Sequence, residues 1–393
     1  MNKVRYGIIG MGVIGNLHAR QITEAKDRSF ELAAVADRDP KVAQAAGAKY
    51  GVASFDDGVK LLDSGLVDAV LISPPHYWHA PLAVAAAQRK IHVLVEKPMS
   101  VTVGDARTII EQCKKHKVAL ASMLMQRTRA AMAKMKKLVD SGLVGEVHRV
   151  EMICSAWYRT QSYYDSAAWR GTWDGEGGGI LINQAPHSLD LFQWIGGMPD
   201  RVTAVVNTRN HKIEVENVAN IICQYPGDTK VGYIYATTCQ LPGEEKLSVF
   251  GDKGVLVCEG AKLTHGKLTM SITDHLAKSG AANADTIPHP KCVWKEIKIP
   301  AKPDGRHINV TRNFAQHILK GEALIADGHE AIRELEISNA AYLSGFQGGT
   351  VSIPVDAKKM DALITKLQKD KSNGSGGDEQ KKAAAMMKKL LKK

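Results

Sequence analysis

Three observations predict an α/β chain of two domains. Strands alternate with helices up to residue 124, strands follow one another without helices after residue 125, and a glycine-rich turn stands directly behind the first strand. The first domain, 1–124, reads as a doubly wound parallel sheet with helices on both faces. The second, 125–368, reads as an α+β domain with a large, mostly antiparallel open sheet, and residues 369–393 are set apart as a flexible tail or expression scar.

In the first domain the short β-branched, aromatic and glycine-rich run 3–9 predicts a buried strand, followed by a helix from about Asn16 to Ala25 and a second strand at 31–36 that ends at Asp37. A helix near 40–50, a short strand at 52–55 and a helix near 57–63 continue the alternation. The apolar runs 68–72, 91–95 and 118–124 are strands, separated by helices at 79–89 and 103–116. Beyond Met125 a basic helix (128–141) leads into strands near 146–157, 201–208, 215–225 and 229–239, then 246–250, 254–259 and 267–271. Helices are expected at 307–319 and 328–346, with Val351–Asp356 closing the sheet. The tail switches abruptly to a Gly/Ser linker and a Lys/Ala/Met/Leu helix pattern, which removes it from the fold argument.

Composition excludes several classes. No run of 18 apolar residues exists, so no membrane partner is expected, and the strand pattern that starts at residue 3 leaves no secretory leader. The six cysteines are scattered without a CxxC pair or metal-ligand spacing, so the cytoplasm is the expected compartment and no metal is expected. The net charge of +11 holds +4 in the tail from Gly374 onward and +7 spread over the rest, with no basic stretch interleaved with aromatics; nucleic acid is not an expected partner.

Chemistry concentrates at three places. Gly10-x-Gly12-x-x-Gly15 lies between strand and helix, with Val13 and Ile14 inside it and Asp37 ending the next strand 22 residues beyond Gly15. Glycines for the tight turn, for close approach of the backbone to a pyrophosphate and for helix–strand packing, followed by a strand-end acid for the ribose hydroxyls, form the dinucleotide fingerprint of a Rossmann domain. Asp37 favours NAD over NADP; Arg38, next to it, could meet a 2′-phosphate instead. Glu96-Lys97-Pro98 ends another strand, where ligands of open α/β sheets gather, and an ammonium there could favour an alkoxide as hydride leaves. Gly177–Asp190 carries a triple glycine, then Asn183 and His187, whose spacing of four puts them on one face of a predicted helix; His187 is a natural proton acceptor, and Pro186 inside the stretch costs a helix bond.

Between Ser155 and Trp173, three Trp, three Tyr and two Arg crowd into 19 residues. Trp157, Tyr158, Trp169 and Trp173 offer stacking faces for a sugar ring, and Arg159 and Arg170 offer donors to hydroxyls or a carboxylate; the alternative is an ordinary aromatic core. Gln126 completes the candidate substrate set with Lys97, Asn183 and His187.

These motifs together resemble the Gfo/Idh/MocA family of NAD(P)-dependent sugar oxidoreductases. The likeness runs over nearly all of residues 1–368 and rests on GIIGMGVIG, Asp37, Ser73-Pro74-Pro75-His76-Tyr77-Trp78-His79, Glu96-Lys97-Pro98, Gly142-Leu143-Val144-Gly145-Glu146 and GGGILINQAPHSLDL. The resemblance implies Lys97 and His187 as catalytic residues. It places the loop Pro74–His79, with Ser73, Pro75, His76 and Glu96, near the nicotinamide, and allows a cis peptide before Pro98. Many members carry Asp where this chain has Asn183, which holds a hydroxyl but takes no proton. The LINQ form is more similar to the branch acting on nucleotide sugars or glycosides. The expected activity is NAD-dependent oxidation of a secondary ring hydroxyl, C3 by analogy, in a homodimer or homotetramer. A glycosidase with tightly held NAD, an inositol dehydrogenase and a sugar-sensing regulator remain alternatives.

Overall fold

The computed structural model of the chain describes residues 2–279, 288–302, 304–371 and 377–392. Eleven elements build the first half in strict alternation: β1 (Val4–Ile9), α1 (Val13–Glu24), β2 (Phe30–Ala36), α2 (Pro40–Tyr50), β3 (Ala53–Phe55), α3 (Gly58–Asp63), β4 (Ala69–Ile72), α4 (His79–Gln88), β5 (His92–Val95), α5 (Val103–His116) and β6 (Leu120–Ser122). Their strands pair in parallel in the order β3-β2-β1-β4-β5-β6, so chain direction across the sheet reverses between β1 and β4. Buried strands alternate their residues between two cores: Val4, Tyr6 and Ile8 join Ala69 and Leu71 on one side, while Ile9, Val70 and Ile72 join Val93 and Val95 on the other. This is the expected doubly wound domain.

The second half begins with α6 (Ala130–Asp140), β7 (Val147–Cys154), α7 (Gln161–Asp165) and α8 (Pro186–Gly196). The strands β8 (Arg201–Asn207), β9 (Val218–Gln224), β10 (Val231–Thr237), β11 (Glu245–Gly251), β12 (Gly254–Glu259) and β13 (Lys262–Leu268) follow, then α9 (Ile272–Ser279) and β14 (Cys292–Ile297). The chain ends with α10 (His307–Lys320), α11 (Gly328–Gln347), β15 (Val351–Ser352), α12 (Ala357–Lys371) and α13 (Gly377–Leu391). Nine strands form one sheet, β14-β13-β12-β11-β7-β10-β9-β8-β15, in which β7 and β10 are parallel and the other pairs antiparallel. Helices α6, α8 and α11 cover one face. The other exposes Val205, Ile222, Val231 and Trp294.

Several elements depart from the sequence pattern. The pattern does not predict α7, α9 or β14, and Cys292–Glu296 are all exposed on an edge strand. Nor does it predict α12, although Met360, Leu363, Ile364 and Leu367 form a buried stripe at helical spacing. β13 starts earlier than the expected 267–271, because the turn after Glu259 pairs that residue directly with Lys262. β15 is only two residues long, since Pro354 has no N–H to continue the ladder. Helix α10, expected within 125–368, lies on the first sheet: it adds Ile308, Val310, Phe314 and Ala315 to the core around β1, and Tyr6 donates a hydrogen bond of 2.9 Å to the Thr311 carbonyl. Where a loose tail is expected, α13 lies against α4, buries Ala383, and receives at its Leu390 carbonyl a 2.8 Å bond from Gln88 Nε2. All six cysteines are free thiols. No helix among the described residues is long and apolar enough to cross a membrane.

Candidate active site

The turn between β1 and α1 is shaped by what glycine omits. A Cβ on Gly10, whose φ is +94°, would lie 2.5 Å from Pro74 N, and one on Gly15 would lie 1.9 Å from the Gly10 carbonyl oxygen. Gly12 is the N-cap of α1 and provides no capping side chain; a Cβ there would meet nothing within 4 Å. Val13 beside it is 91% exposed and Ile14 half-buried. The first N–H groups of α1 therefore face open space with no internal acceptor, which suits a pyrophosphate. Ser73 Oγ braces the turn by donating to the carbonyls of Ile9 (3.1 Å) and Gly10 (2.9 Å). Asp37 stands beside it, accepting from Met11 N at 2.8 Å and Asp39 N at 3.0 Å, with Arg38 exposed next to it. The cradle fits a dinucleotide.

The ends of β4 and β5 form the next layer. His79 ties the two loops together, its ring nitrogens 2.8 Å from the Pro98 carbonyl and 2.9 Å from that of Pro74. His76 is buried and donates from Nδ1 to the Glu176 carbonyl at 2.8 Å; burial pushes its pKa down to about 3. Pro75 caps the short 3-10 turn His76–Trp78. The Lys97–Pro98 peptide is cis. Burial alone would raise the Glu96 carboxyl, but its 2.7 Å contact with His18 Nε2 outweighs that and holds it at about 2; its Oε2 accepts from Lys97 N. His18, Glu96 and His307 bring ligating atoms within 4.8 Å of one another. Lys97 is half-buried and its Nζ donates to the Asn183 carbonyl at 2.6 Å; burial lowers its pKa, against the pull of Glu96, Glu176 and Glu334.

The triple glycine brings the second domain onto that lysine. A Cβ on Gly179 would lie 1.7 Å from the Glu216 carbonyl oxygen, and the Gly179 and Leu181 amides donate to the Glu216 carboxylate. The expected helix carrying both Asn183 and His187 does not form. Residues 180–185 are a turn, and α8 begins at Pro186, where a helix loses nothing by lacking an N–H. Asn183 thus belongs to the turn and His187 to the first turn of α8. His187 is half-buried, its Nδ1 has no hydrogen-bond partner, and burial followed by the Lys97 charge lowers its pKa to about 3. Asn183 Nδ2 donates to Glu176 Oε1 and lies 3.3 Å from Tyr163 Oη.

The aromatic segment splits between surface and core. Trp157 and Tyr158 are 38% and 40% exposed at the lip. The Arg159 guanidinium lies over the rings of Tyr163 (4.6 Å) and Trp157 (5.6 Å); that of Arg170 lies over Tyr163 (4.4 Å) and Trp169 (4.5 Å). Both arginines leave a buried Nε unbonded. Trp169 approaches the His76 ring at 6.1 Å, which joins it to the cofactor loop. Trp173 corrects the expectation of a stacking face. It is fully buried, edge-on to Tyr342 and Phe346 at 5.5 Å each, with Nε1 bonded to the Glu214 carbonyl, so no face remains for a ligand. Gln126 is half-buried and accepts from Arg129 at 3.2 Å, outside this cluster of contacts.

Residues 4–123 match the family model described as an oxidoreductase family with an NAD-binding Rossmann fold, and residues 132–257 match the C-terminal domain of the same family. The chain belongs to the Gfo/Idh/MocA oxidoreductase family. Its first domain binds NAD, as the glycine turn and Asp37 imply. Among solved structures it is similar to the WlbA dehydrogenase of Bordetella pertussis, in complex with NADH and UDP-GlcNAcA: 28% identity, TM-score 0.74, covering 90% of this chain and 100% of that one. Among curated relatives, the D-apiose dehydrogenase of Rhizobium rhizogenes is 24% identical over 90% of this chain and 98% of its own length. The rhizopine catabolism protein MocA of Rhizobium meliloti is 29% identical over 50% of this chain, which spans 58% of that protein.

Within this Gfo/Idh/MocA site, sequence reasoning missed Glu176, His18, His307 and Glu334, and took in Tyr163 only as one of the aromatic segment's tyrosines. Glu176 directly precedes the triple glycine, and that adjacency was the available signal. The others come from separate elements and converge only on folding. Arg127 lies buried between Asp190 (2.6 Å) and Glu330 (2.7 Å) and ties α8 to α11 behind the site.

Proposed function

We propose that the chain oxidises a secondary hydroxyl of a pyranose derivative, a sugar nucleotide or glycoside, to the ketone. The observation that carries this reading is the meeting of Lys97 and His187 at the mouth of the cradle, close enough for the ammonium to depress the imidazole's proton affinity. NAD, when bound by Gly10–Gly15 and Asp37, supplies the hydride acceptor. Lys97 donates a hydrogen bond to the reacting oxygen and favours its alkoxide form, while His187, neutral at working pH, takes the hydroxyl proton. A base held at about 3 keeps that proton only briefly, so His187 releases it to water. His76, His79 and Ser73 hold the loop against which the nicotinamide end packs.

Trp157, Tyr158 and Trp169 supply faces for a pyranose ring, and the unbonded Nε groups of Arg159 and Arg170 suit a carboxylate or phosphate on the substrate. The 28% identity with a dehydrogenase solved with a sugar-acid nucleotide supports the same class. The outer face of the nine-stranded sheet, which exposes Val205, Ile222, Val231 and Trp294, is the surface for a second copy, giving a homodimer or homotetramer. The test is a panel of UDP-sugars, methyl pyranosides and inositols with NAD, following NADH formation and locating the new carbonyl by NMR, with C3 the expected carbon. Good turnover of inositols with none of any pyranose derivative overturns the reading.

A further inference from the structure

Glu176 is 1% exposed and touches both the His76 loop of the first domain and the Asn183 turn of the second. Its Oε2 accepts from Gly171 N at 2.6 Å, its Oε1 accepts from Asn183 Nδ2, and its own carbonyl accepts from His76 at 2.8 Å. Asn183 in turn offers its carbonyl to Lys97 Nζ at 2.6 Å. An amide side chain has a donating end and an accepting end, and nothing in its shape decides which end faces a ligand. A carboxylate accepts only. With Nδ2 committed to Glu176 and to the Tyr163 hydroxyl, Asn183 keeps Oδ1 for the substrate.

We propose that Glu176 is a positioning residue for substrate: it locks the Asn183 amide so that Oδ1, and not Nδ2, meets the hydroxyl vicinal to the one oxidised. This rests on the pyranose reading above for the identity of the ligand. A hydroxyl that donates to Oδ1 keeps its own oxygen to accept from neighbouring donors, so the sugar is fixed in one orientation beside Lys97. Substrates must then carry a free hydroxyl next to the reacting carbon.

The lock depends on charge. Burial raises the Glu176 carboxyl to about 7, against the opposing effects of the Gly171 amide, Asn183, Arg170 and Lys97. Around it stand Lys97 from the end of β5, His76 from the 3-10 turn, Arg170, Tyr163 and Tyr164 from the aromatic segment, and Tyr342 from α11. Glu216, under the triple glycine, is also raised to about 7, so a variant at 176 is needed to separate the two. The ionised form makes the lock; it holds above about pH 7 and loosens as pH falls through that value.

Asn-selective 15N labelling of the NAD-bound enzyme reads the lock without turnover, with Asn183→Asp identifying the signal. The Asn183 side-chain amide should shift with a midpoint near pH 7 in the wild type and not in Glu176→Gln. An amide signal indifferent to pH, or one that titrates equally in Glu176→Gln, overturns the proposal. In kinetics with UDP-GlcNAcA and methyl β-D-glucopyranoside as probes, Glu176→Gln should raise KM about tenfold, the scale of one charged hydrogen bond. It should also remove the acid limb of kcat/KM near pH 7 while leaving NADH affinity unchanged. The exchanged pair Glu176→Gln with Asn183→Asp, in which Gln donates and Asp accepts, should restore KM to within about threefold. Failure of that rescue with the acid limb intact in Glu176→Gln counts against the lock. A titrating amide without turnover of either probe upholds the lock and counts against the pyranose reading alone.

Discussion

The two walls of the cleft are made differently. The cofactor wall is backbone: a turn in which Gly10 and Gly15 have no room for a Cβ, the bare start of α1, and a single carboxylate held by two main-chain amides. The proposed substrate wall is side chains: two arginines stacked among Trp157, Tyr163 and Trp169, with Asn183, His187 and Lys97 closing the floor. A backbone wall presents the same donors whatever the neighbouring side chains are, so it suits a constant ligand. A side-chain wall can be rewritten residue by residue, so it is where specificity resides. Trp169 and Trp173 make the point within one segment. They stand four residues apart, yet one ring borders the cleft and the other fills the core between α11 and the loop.

That split is sharpest in its consequences for stability. Trp173→Ala empties a fully buried site and breaks the Nε1 bond to Glu214. Such truncations cost about 3–5 kcal/mol, so thermal unfolding should come several degrees lower, with whatever folded protein remains keeping a normal KM. A variant with an unchanged melting temperature and a raised KM would move Trp173 into the substrate wall and erase the distinction.

The floor of the cleft should respond in rate and not in stability. Lys97→Ala and His187→Ala are each expected to reduce kcat by about a hundredfold, the range of general acid–base groups. NADH affinity, read by fluorescence titration, should stay within a few-fold, because the pyrophosphate meets the start of α1. The burial that holds His187 at about 3 sets the sign of its pH dependence: the imidazole is neutral across the neutral range, so it adds no acid limb to kcat/KM above about pH 4. His187→Ala retaining near-full activity would assign the proton to another group.

The same contrast explains what could be read in advance. The doubly wound domain was legible because each strand is a short apolar run between helical periods, and the glycine turn because its three glycines stand within six residues directly after the first strand. Lys97 stood out by its place at the end of a predicted strand and His187 by its spacing of four from Asn183, and the fold brings the two together although Asn183 lies outside α8. Glu176 was not, because its significance lies in contacts with Asn183, Gly171 and His76, and no periodicity marks a carboxylate buried in a turn. The helix through Asn183 failed for a local reason: Pro186 favours a first helical position, and that pushed the start of α8 past Asn183. Trp173 was misplaced because composition alone cannot say which aromatic residues of a dense cluster the fold turns inward. Helix α10 crosses to the first sheet through an apolar stripe that would suit either domain equally.

Trp157 provides the smallest effect and the finest test of the two-wall picture. Its ring is 38% exposed, and its described partner is the Arg159 guanidinium at 5.6 Å. A cation–π contact at so exposed a site is worth roughly 0.5–1 kcal/mol, and removing the ring leaves no cavity for the core to refill. Trp157→Ala should therefore leave the melting temperature within about 1 °C, since exposed substitutions usually fall within about 0.5 kcal/mol. Stacking on the sugar ring should vanish with it: an aromatic contact of about 0.5–1.5 kcal/mol corresponds to a KM raised roughly two- to twelvefold at constant kcat. Arg159 loses one of its two flanking rings but keeps Tyr163 at 4.6 Å, so its charge stays in place and substrates carrying a carboxylate or phosphate should be affected no more than neutral pyranosides. A larger loss for charged substrates would mean that Trp157 acts by aiming Arg159 and not by stacking. A lowered melting temperature comparable to that of Trp173→Ala would make both tryptophans structural, leaving Tyr158 and Trp169 as the faces on which a sugar could rest.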